Sequence, residues 1–407
     1  MKNLILSAIM LVSTFISYSQ VSSASSTSTT TETKKETSST KKWYDKISLR
    51  GYAQVRYNRL LETNSKLKCD QCDKSIGENG GFFLRRGRLI FSGDVSDRLY
   101  IYLQPDFASA AEPNQHYFQL RDAYFDLALD EKKEFRFRVG QSKVPYGFEN
   151  MQSSQNRLAL DRNDALNSAV SNERDLGVFA YFAPAKIRER FAHLVKSGLK
   201  GSGDYGVVGL GAYNGQTANK PEANNNTHVV ARVTYPFMLK SGQFIEGSLQ
   251  GFTGQTTIAI DGKNKNPNLR FKDQRAAATL VVYPQPFGFQ AEYNVGTGPE
   301  FNPDSMKTLQ TNLHGGYAQI MYKTNIGTNN TLIPFVKYQV YNGGKKFETD
   351  ARKYRVNDLE IGVEWQLKDY FELVAMYTIA KRRYEDAKVP KNYQEGELLR
   401  LQAQFNF

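Results

Sequence analysis

Residues 47–59 read ISLRGYAQVRYNR, and their alternation decides the fold. Ile47, Leu49, Gly51, Ala53, Val55 and Tyr57 are apolar or small, and Ser48, Arg50, Tyr52, Gln54, Arg56 and Asn58 fall between them. Side chains of a strand point alternately to opposite faces, so this segment has one face suited to lipid and one suited to water. Period two sustained over more than ten residues is the pattern of a tilted strand in a membrane barrel.

Working outward, the two-faced pattern recurs to give about sixteen segments, the last at 396–407, an even number as a single-chain barrel requires. With few exceptions the gaps between segments alternate long and short. Long ones fall at 60–81, 144–172, 215–227 and 255–273, and also after the third, eleventh, thirteenth and fifteenth segments. Short periplasmic turns and long outer loops give this rhythm. The gap at 184–204 breaks it, being long where a turn is expected. The last segment sets Leu399, Leu401, Ala403, Phe405 and Phe407 against Arg400, Gln402, Gln404 and Asn406. A terminal Phe on an alternating aromatic strand resembles the assembly signal of outer-membrane barrels. The fold expected is all-β, a transmembrane antiparallel barrel filling residues 47–407.

The N-terminus supports export. Lys2, an apolar run from Leu4 to Ile16 and Ser17-x-Ser19 have the order of a cleaved signal, so residues 1–19 are read as a signal peptide. That run is too short to cross a bilayer as a helix, and no later apolar stretch is long enough. Residues 20–46 begin almost wholly as Ser, Thr, Lys and Glu and are read as a disordered periplasmic arm. The predicted location is the outer membrane of a Gram-negative bacterium, with membrane lipid and lipopolysaccharide as surroundings. A net charge of +12 would elsewhere suggest nucleic acid, which an exported protein does not ordinarily meet. Cys69 and Cys72 are the only cysteines, and an oxidising compartment favours a small local disulfide between them. No cofactor and no metal site is expected.

Placing Lys or Arg at the lipid midplane of a barrel costs roughly 2–4 kcal/mol, so alternation sends strand cations into the lumen. Arg50, Arg56, Arg86, Arg88, Arg136, Arg138, Arg232 and Arg400 are thereby lumenal, as are the acids Asp122, Asp126, Asp175, Glu246, Glu292, Glu360 and Glu364. The signs are segregated along the chain, which predicts an Arg-rich wall facing a Glu-bearing one. In FFLRRGRLIF (82–91) adjacent Arg85 and Arg86 cannot both face inward on a regular strand. Either Arg85 lies near the outer rim or at a subunit contact, or a bulge beside Gly87 turns it in.

Several stretches together resemble the phosphate-selective porin O/P family: LRGYAQVRY (49–57), FFLRRGRLIFSG (82–93), RDAYFDL (121–127), RVGQSKVPYGFENMQSSQNRLALDRN (138–163), RDLGV (174–178), QAEY (290–293) and the terminal RLQAQFNF. The resemblance implies a sixteen-stranded homotrimer in which the loop after the fifth strand, 144–172, folds inward to narrow the pore. It also implies that Arg85, Arg86, Ser153 and Ser154 line an anion site. Lys143, Arg157 and Arg162 lie in or beside that loop. Tyr52, Asn150 and Gln155 stand where the phosphate pores carry cations, which weakens phosphate preference more than anion preference. The function expected is passive diffusion of small anions such as phosphate. Its rivals are a surface-display or adhesin barrel and an enzyme, the latter disfavoured because His116, His193, His228 and His314 sit in no recognisable nucleophile motif.

Overall fold

The computed structural model describes residues 42–69, 81–111, 114–328, 330–368 and 370–407. The first strands are β1 (Ser48–Leu60), β2 (Gly81–Asp94), β3 (Leu99–Ala111), β4 (Asn114–Ala128), β5 (Phe135–Lys143) and β6 (Arg174–Phe182). They are followed by β7 (Val208–Tyr213), β8 (His228–Met238), β9 (Phe244–Thr257), β10 (Arg270–Val282), β11 (Phe287–Asn302) and β12 (Lys307–Tyr322). The two-residue β13 (Thr324–Asn325) continues beyond β12 and, like it, pairs with β14 (Asn330–Gly344), so the two count as one stave. The circuit ends with β15 (Lys353–Leu367), β16 (Phe371–Glu385) and β17 (Tyr393–Asn406).

Every pairing is antiparallel, and β1 bonds to β2 on one side and to β17 on the other. The sheet is a closed barrel of sixteen staves. Closure leaves no strand edge unpaired, which a sheet in hydrocarbon requires because lipid offers no hydrogen bonds. The alternation has the expected consequence: Leu49, Phe125, Leu249, Leu280 and Ile361 are exposed on the outer wall, whereas Arg56, Arg88, Glu292, Glu360 and Arg400 are buried within. Phe135, Phe237, Phe287, Tyr322 and Phe405 are exposed beside the short-turn end, as in an interfacial aromatic girdle.

Three features differ from the sequence reading. The gaps after the third and eleventh segments are taken up by strand: β3 reaches Ala111 and β4 starts at Asn114, while β11 and β12 leave only 303–306 between them. Residues 184–204 hold a helix, α3 (Ala185–Lys196), on the side of the short turns. Of the proposed N-terminal arm, Trp43–Lys46 form a single 3-10 turn. The signal segment and residues 20–41 lie outside the described residues, as does Cys72 and therefore the expected pairing with Cys69.

Candidate functional site

The segment between β5 and β6 turns into the barrel. Gly147 starts the turn at φ +80, and a Cβ there would sit 2.2 Å from a methyl of Leu166, so glycine is required on both counts. The short helices α1 (Phe148–Met151) and α2 (Asp164–Ala169) follow, the second capped by Asn163, whose Oδ1 accepts from the Leu166 N–H at 3.1 Å. Leu158 and Leu160 pack on Met321, Ile333, Phe335 and Met376 of β12, β14 and β16. Val144, Tyr146, Leu166 and Val170 pack on Phe179, Tyr213, Val230 and Phe252 of β6 to β9. A segment that touches both walls lies in the lumen. Each fully buried leucine contributes about 1.5–3 kcal/mol to holding it there.

Charge completes the docking. Asp161 receives Arg56 at 3.1 Å, Arg400 at 2.6 Å and Arg85 at 3.5 Å. Arg85 reaches it because the β1–β2 register slips at this point: Gln54 pairs with Arg86 and Val55 with Leu84, leaving Arg85 as the extra residue of a bulge. Of the two placements left open by the sequence, the bulge is the one found, at Arg85 itself. Glu173 gathers Arg157 at 2.9 Å, Arg162 at 3.5 Å, Lys143 at 3.9 Å and also Arg174. Burial opposes ionisation of Asp161 and Glu173, but the surrounding guanidinium and ammonium groups outweigh it and hold both carboxyls well below their ordinary values. Lys337 donates to Glu149 at 2.6 Å, and Arg382 pairs with Asp164 at 3.1 Å.

The remaining expected residues occupy distinct places. Ser154 Oγ lies 2.7 Å from the Tyr52 hydroxyl and accepts from Arg88 Nη1 at 3.1 Å, while Arg88 Nε donates to Asp106 at 2.7 Å. Ser153 lines a cavity beneath the segment. Lys143 donates to the carbonyls of Met151 at 3.2 Å and Gln152 at 2.7 Å, and Arg162 donates to Asn150 Oδ1 at 2.7 Å, so both brace the segment's fold. Arg138 makes two bonds to Asp126, at 2.7 and 2.8 Å, with its guanidinium 3.9 Å from the Tyr124 ring centre. Arg136 lies 2.8 Å from Asp204. Arg50 is solvent-exposed, yet it borders two lumenal cavities.

Two cations stand apart. Arg86 is buried and, among the described residues, donates only to Gln54 Oε1, at 2.7 Å; its Nε has no partner there. Arg121 is buried, donating to Gln119 at 3.2 Å and the Asn172 carbonyl at 3.0 Å, and its Nε also has none. Among the described residues neither has a carboxylate within 4.0 Å. An unpaired buried guanidinium is costly, and an anion would relieve the cost.

Below the segment, three cavities of about 570, 280 and 440 Å³ share lining residues around α3. Ile187, Phe191 and Leu194 of α3 recur at helical spacing on its buried side. Leu194 joins Phe148, Phe244, Val281 and Tyr283 in one apolar cluster, so the helix is tied to both the wall and the inward segment. Lys200, just past it, reaches Glu364 of β15, and the Gln152 side chain donates to the Lys200 carbonyl at 2.7 Å.

Sequence reasoning missed Asp161, Glu173, Glu149, Asp164, Arg121, Lys337 and α3. The acids change the electrostatic picture: the Arg-rich wall predicted from sign segregation is faced at contact distance by Asp106 and Asp161, so much of its charge is paired. The apolar lumenal residues of β12, β14 and β16 were a usable signal, because they break the polar-in rule where the segment docks.

A closed sixteen-stave barrel with a charged interior is an outer-membrane porin of a Gram-negative bacterium. The model of the family described as phosphate-selective porin O and P matches residues 64–407, and the chain belongs to that family. No curated protein matches it. Among solved structures it is similar to the anion-selective porin from Comamonas acidovorans, at 10% identity over 89% of this chain and 99% of that one, with TM-score 0.56. It is also similar to the outer-membrane channel DcaP of Acinetobacter baumannii, at 13% identity over 89% and 97%, with TM-score 0.54. The trimer form of in-vitro folded OmpT from Vibrio cholerae matches at 9% identity over 89% and 99%, with TM-score 0.52. At these identities the likeness concerns the fold.

Proposed function

We propose that this porin passes small anions by passive diffusion, with residues 144–172 as its constriction and phosphate among its guests. The observation that carries the reading is the pair of buried guanidiniums beside the inward segment, Arg86 and Arg121, which among the described residues have no carboxylate within 4.0 Å. Guanidinium forks suit phosphate and carboxylate oxygens, and hydroxyls such as Ser153 add neutral donors. Tyr52, Asn150 and Gln155 hold cation count down, so binding is weak enough for release, as conduction requires. The protein is read as a channel without enzymatic activity, exported by residues 1–19 and tethered to a periplasmic arm, residues 20–46. It is read as a homotrimer, the form in which OmpT of Vibrio cholerae is described.

A display barrel with a plugged lumen is the second reading. The packing of Leu158 and Leu160 across to β12, β14 and β16 favours it. Replacing residues 150–163 by a short Gly-Ser linker separates the two. A constriction gives larger single-channel conductance with weaker selectivity on removal; a barrel that is closed before replacement and opens only after it is a scaffold with a plug.

A further inference from the structure

Residues 263–272 read KNKNPNLRFK, four cations and no acid. Lys263, Lys265, Arg270 and Lys272 are all exposed, and so is Lys307 at the start of β12. None of the five forms an ion pair within 4.0 Å among the described residues. Asn264 and Asn266 face the other way. Asn264 donates to Asp350 at 2.9 Å and to Thr308 Oγ1 at 3.0 Å, and Asn266 donates to the Thr308 carbonyl at 3.0 Å. Asn268 Oδ1 accepts from the Arg270 N–H at 3.0 Å. The Lys265 N–H donates to the Met306 carbonyl at 3.0 Å, which brings this strip beside Lys307. The alternation Lys-Asn-Lys-Asn therefore fixes the backbone with one set of side chains and holds the other set outward.

The height of the strip on the barrel names its partner. Lys272 and Arg270 share parity with Leu280, which is 46% exposed on the lipid face. Lys272 lies ten residues from Val282 at the short-turn end of β10. At about 3.3 Å per residue and a tilt near 40°, that is about 25 Å along the membrane normal, the height of the apolar band. Across the β9–β10 ladder Lys272 faces Gln255 and Arg270 faces Thr257, both neutral. The nearby Asp261 is engaged with Lys388 at 3.6 Å.

We propose that this strip grips the phosphate groups of lipopolysaccharide at the headgroup level of the outer leaflet. Arg270 and Lys272 are on the lipid-facing parity of β10, and Lys263 and Lys265 are on the loop before it, whose Asp261 and Asn264 reach the loops after β16 and β14; the proposal does not depend on what passes through the lumen. Lysine and arginine in a fixed row beside neutral strand neighbours match a phosphorylated sugar headgroup, since the attraction is long-ranged and needs no single coordination geometry.

The test uses the folded full-length barrel in neutral detergent, titrated with bisphosphorylated lipid A and with enzymatically dephosphorylated lipid A, binding being read by native mass spectrometry. The wild type should bind the phosphorylated form, with affinity falling as salt rises. Lys263→Gln, Lys265→Gln, Arg270→Gln and Lys272→Gln combined should weaken that binding at least about tenfold, to the level of the dephosphorylated lipid. The same set with Lys→Arg at 263, 265 and 272 should retain it. Heat-modified gel migration confirms folding of each variant. Equal binding by wild type and the Gln variant, equal binding of the two lipids, or loss with the Arg variant would overturn the assignment. Displacement by inorganic phosphate at the same concentration as lipid A would show a free-ion site instead.

Discussion

Asp161, carried by the inward segment, lies 3.1 Å from Arg56 of the first strand and 2.6 Å from Arg400 of the last. One carboxylate thus spans the seam at which the barrel closes, where Arg56 also donates to Gln402 of β17 at 2.8 Å. Removing one partner of a buried pair generally costs about 3–5 kcal/mol, because the other charges stay buried. Asp161→Asn should leave the barrel closed but loosen the segment and take one negative charge away from three guanidiniums, of which Arg400 keeps Glu360 at 3.2 Å. Reversal potentials in a salt gradient should move toward greater anion preference, with noisier current. A shift toward cations would mean that Asp161 does not set lumenal charge.

Arg86 and Arg121 carry the proposed anion contact. Arg86→Glu with Arg121→Glu should reduce or reverse anion preference, whereas the neutral pair Arg86→Gln with Arg121→Gln should reduce it only in part. Planar-bilayer permeability ratios check this. Identical ratios in all three proteins would assign selectivity elsewhere in the lumen.

Acid should undo the clamp in a defined window. Asp161 and Glu173 titrate well below their ordinary values of 3.8 and 4.5, so their docking energy is fully present above the unfolded values and is lost as pH falls through the lower folded ones. The clamp made by Asp161 and Glu173 should hold from about pH 8 to pH 5 and release the segment only below about pH 4. Protease sensitivity of 144–172 at stepped pH checks this. A transition centred near pH 6 would contradict it.

The fold was legible because lipid enforces alternation at every stave: Ile47–Arg59 and Leu399–Phe407 announce it locally, and the long-short rhythm orders the rest. The parity rule puts Arg56, Arg86, Arg88 and Arg138 on the inner face, and all four are buried. It could not reach Arg85, since a bulge resets parity by one residue and leaves little mark in sequence. Nor could it find Asp161 or Glu173, because partners across a lumen are a matter of tertiary docking, and nothing in a loop sequence says which wall it meets. The helix α3 did leave a trace, Ile187, Phe191 and Leu194 at helical spacing, inside the one gap that broke the rhythm.

That helix predicts a further result. Leu194 is 1% exposed among Phe148, Phe244, Val281 and Tyr283. Leu194→Asp places a carboxylate in an apolar cluster, a cost of several kcal/mol, and should undock α3 from the periplasmic mouth. Conductance should rise with little change in permeability ratio. Wild-type conductance would show that α3 does not limit flow.

We propose that the wild-type barrel conducts and prefers anions. The most direct measurement is the zero-current potential of the purified protein in a planar bilayer separating two concentrations of potassium chloride, followed by addition of phosphate to one side. The expected result is open channels, a potential of the sign set by chloride permeating faster than potassium, and partial reduction of chloride current by phosphate. A potential of the opposite sign, or a folded barrel that passes no current, would contradict it.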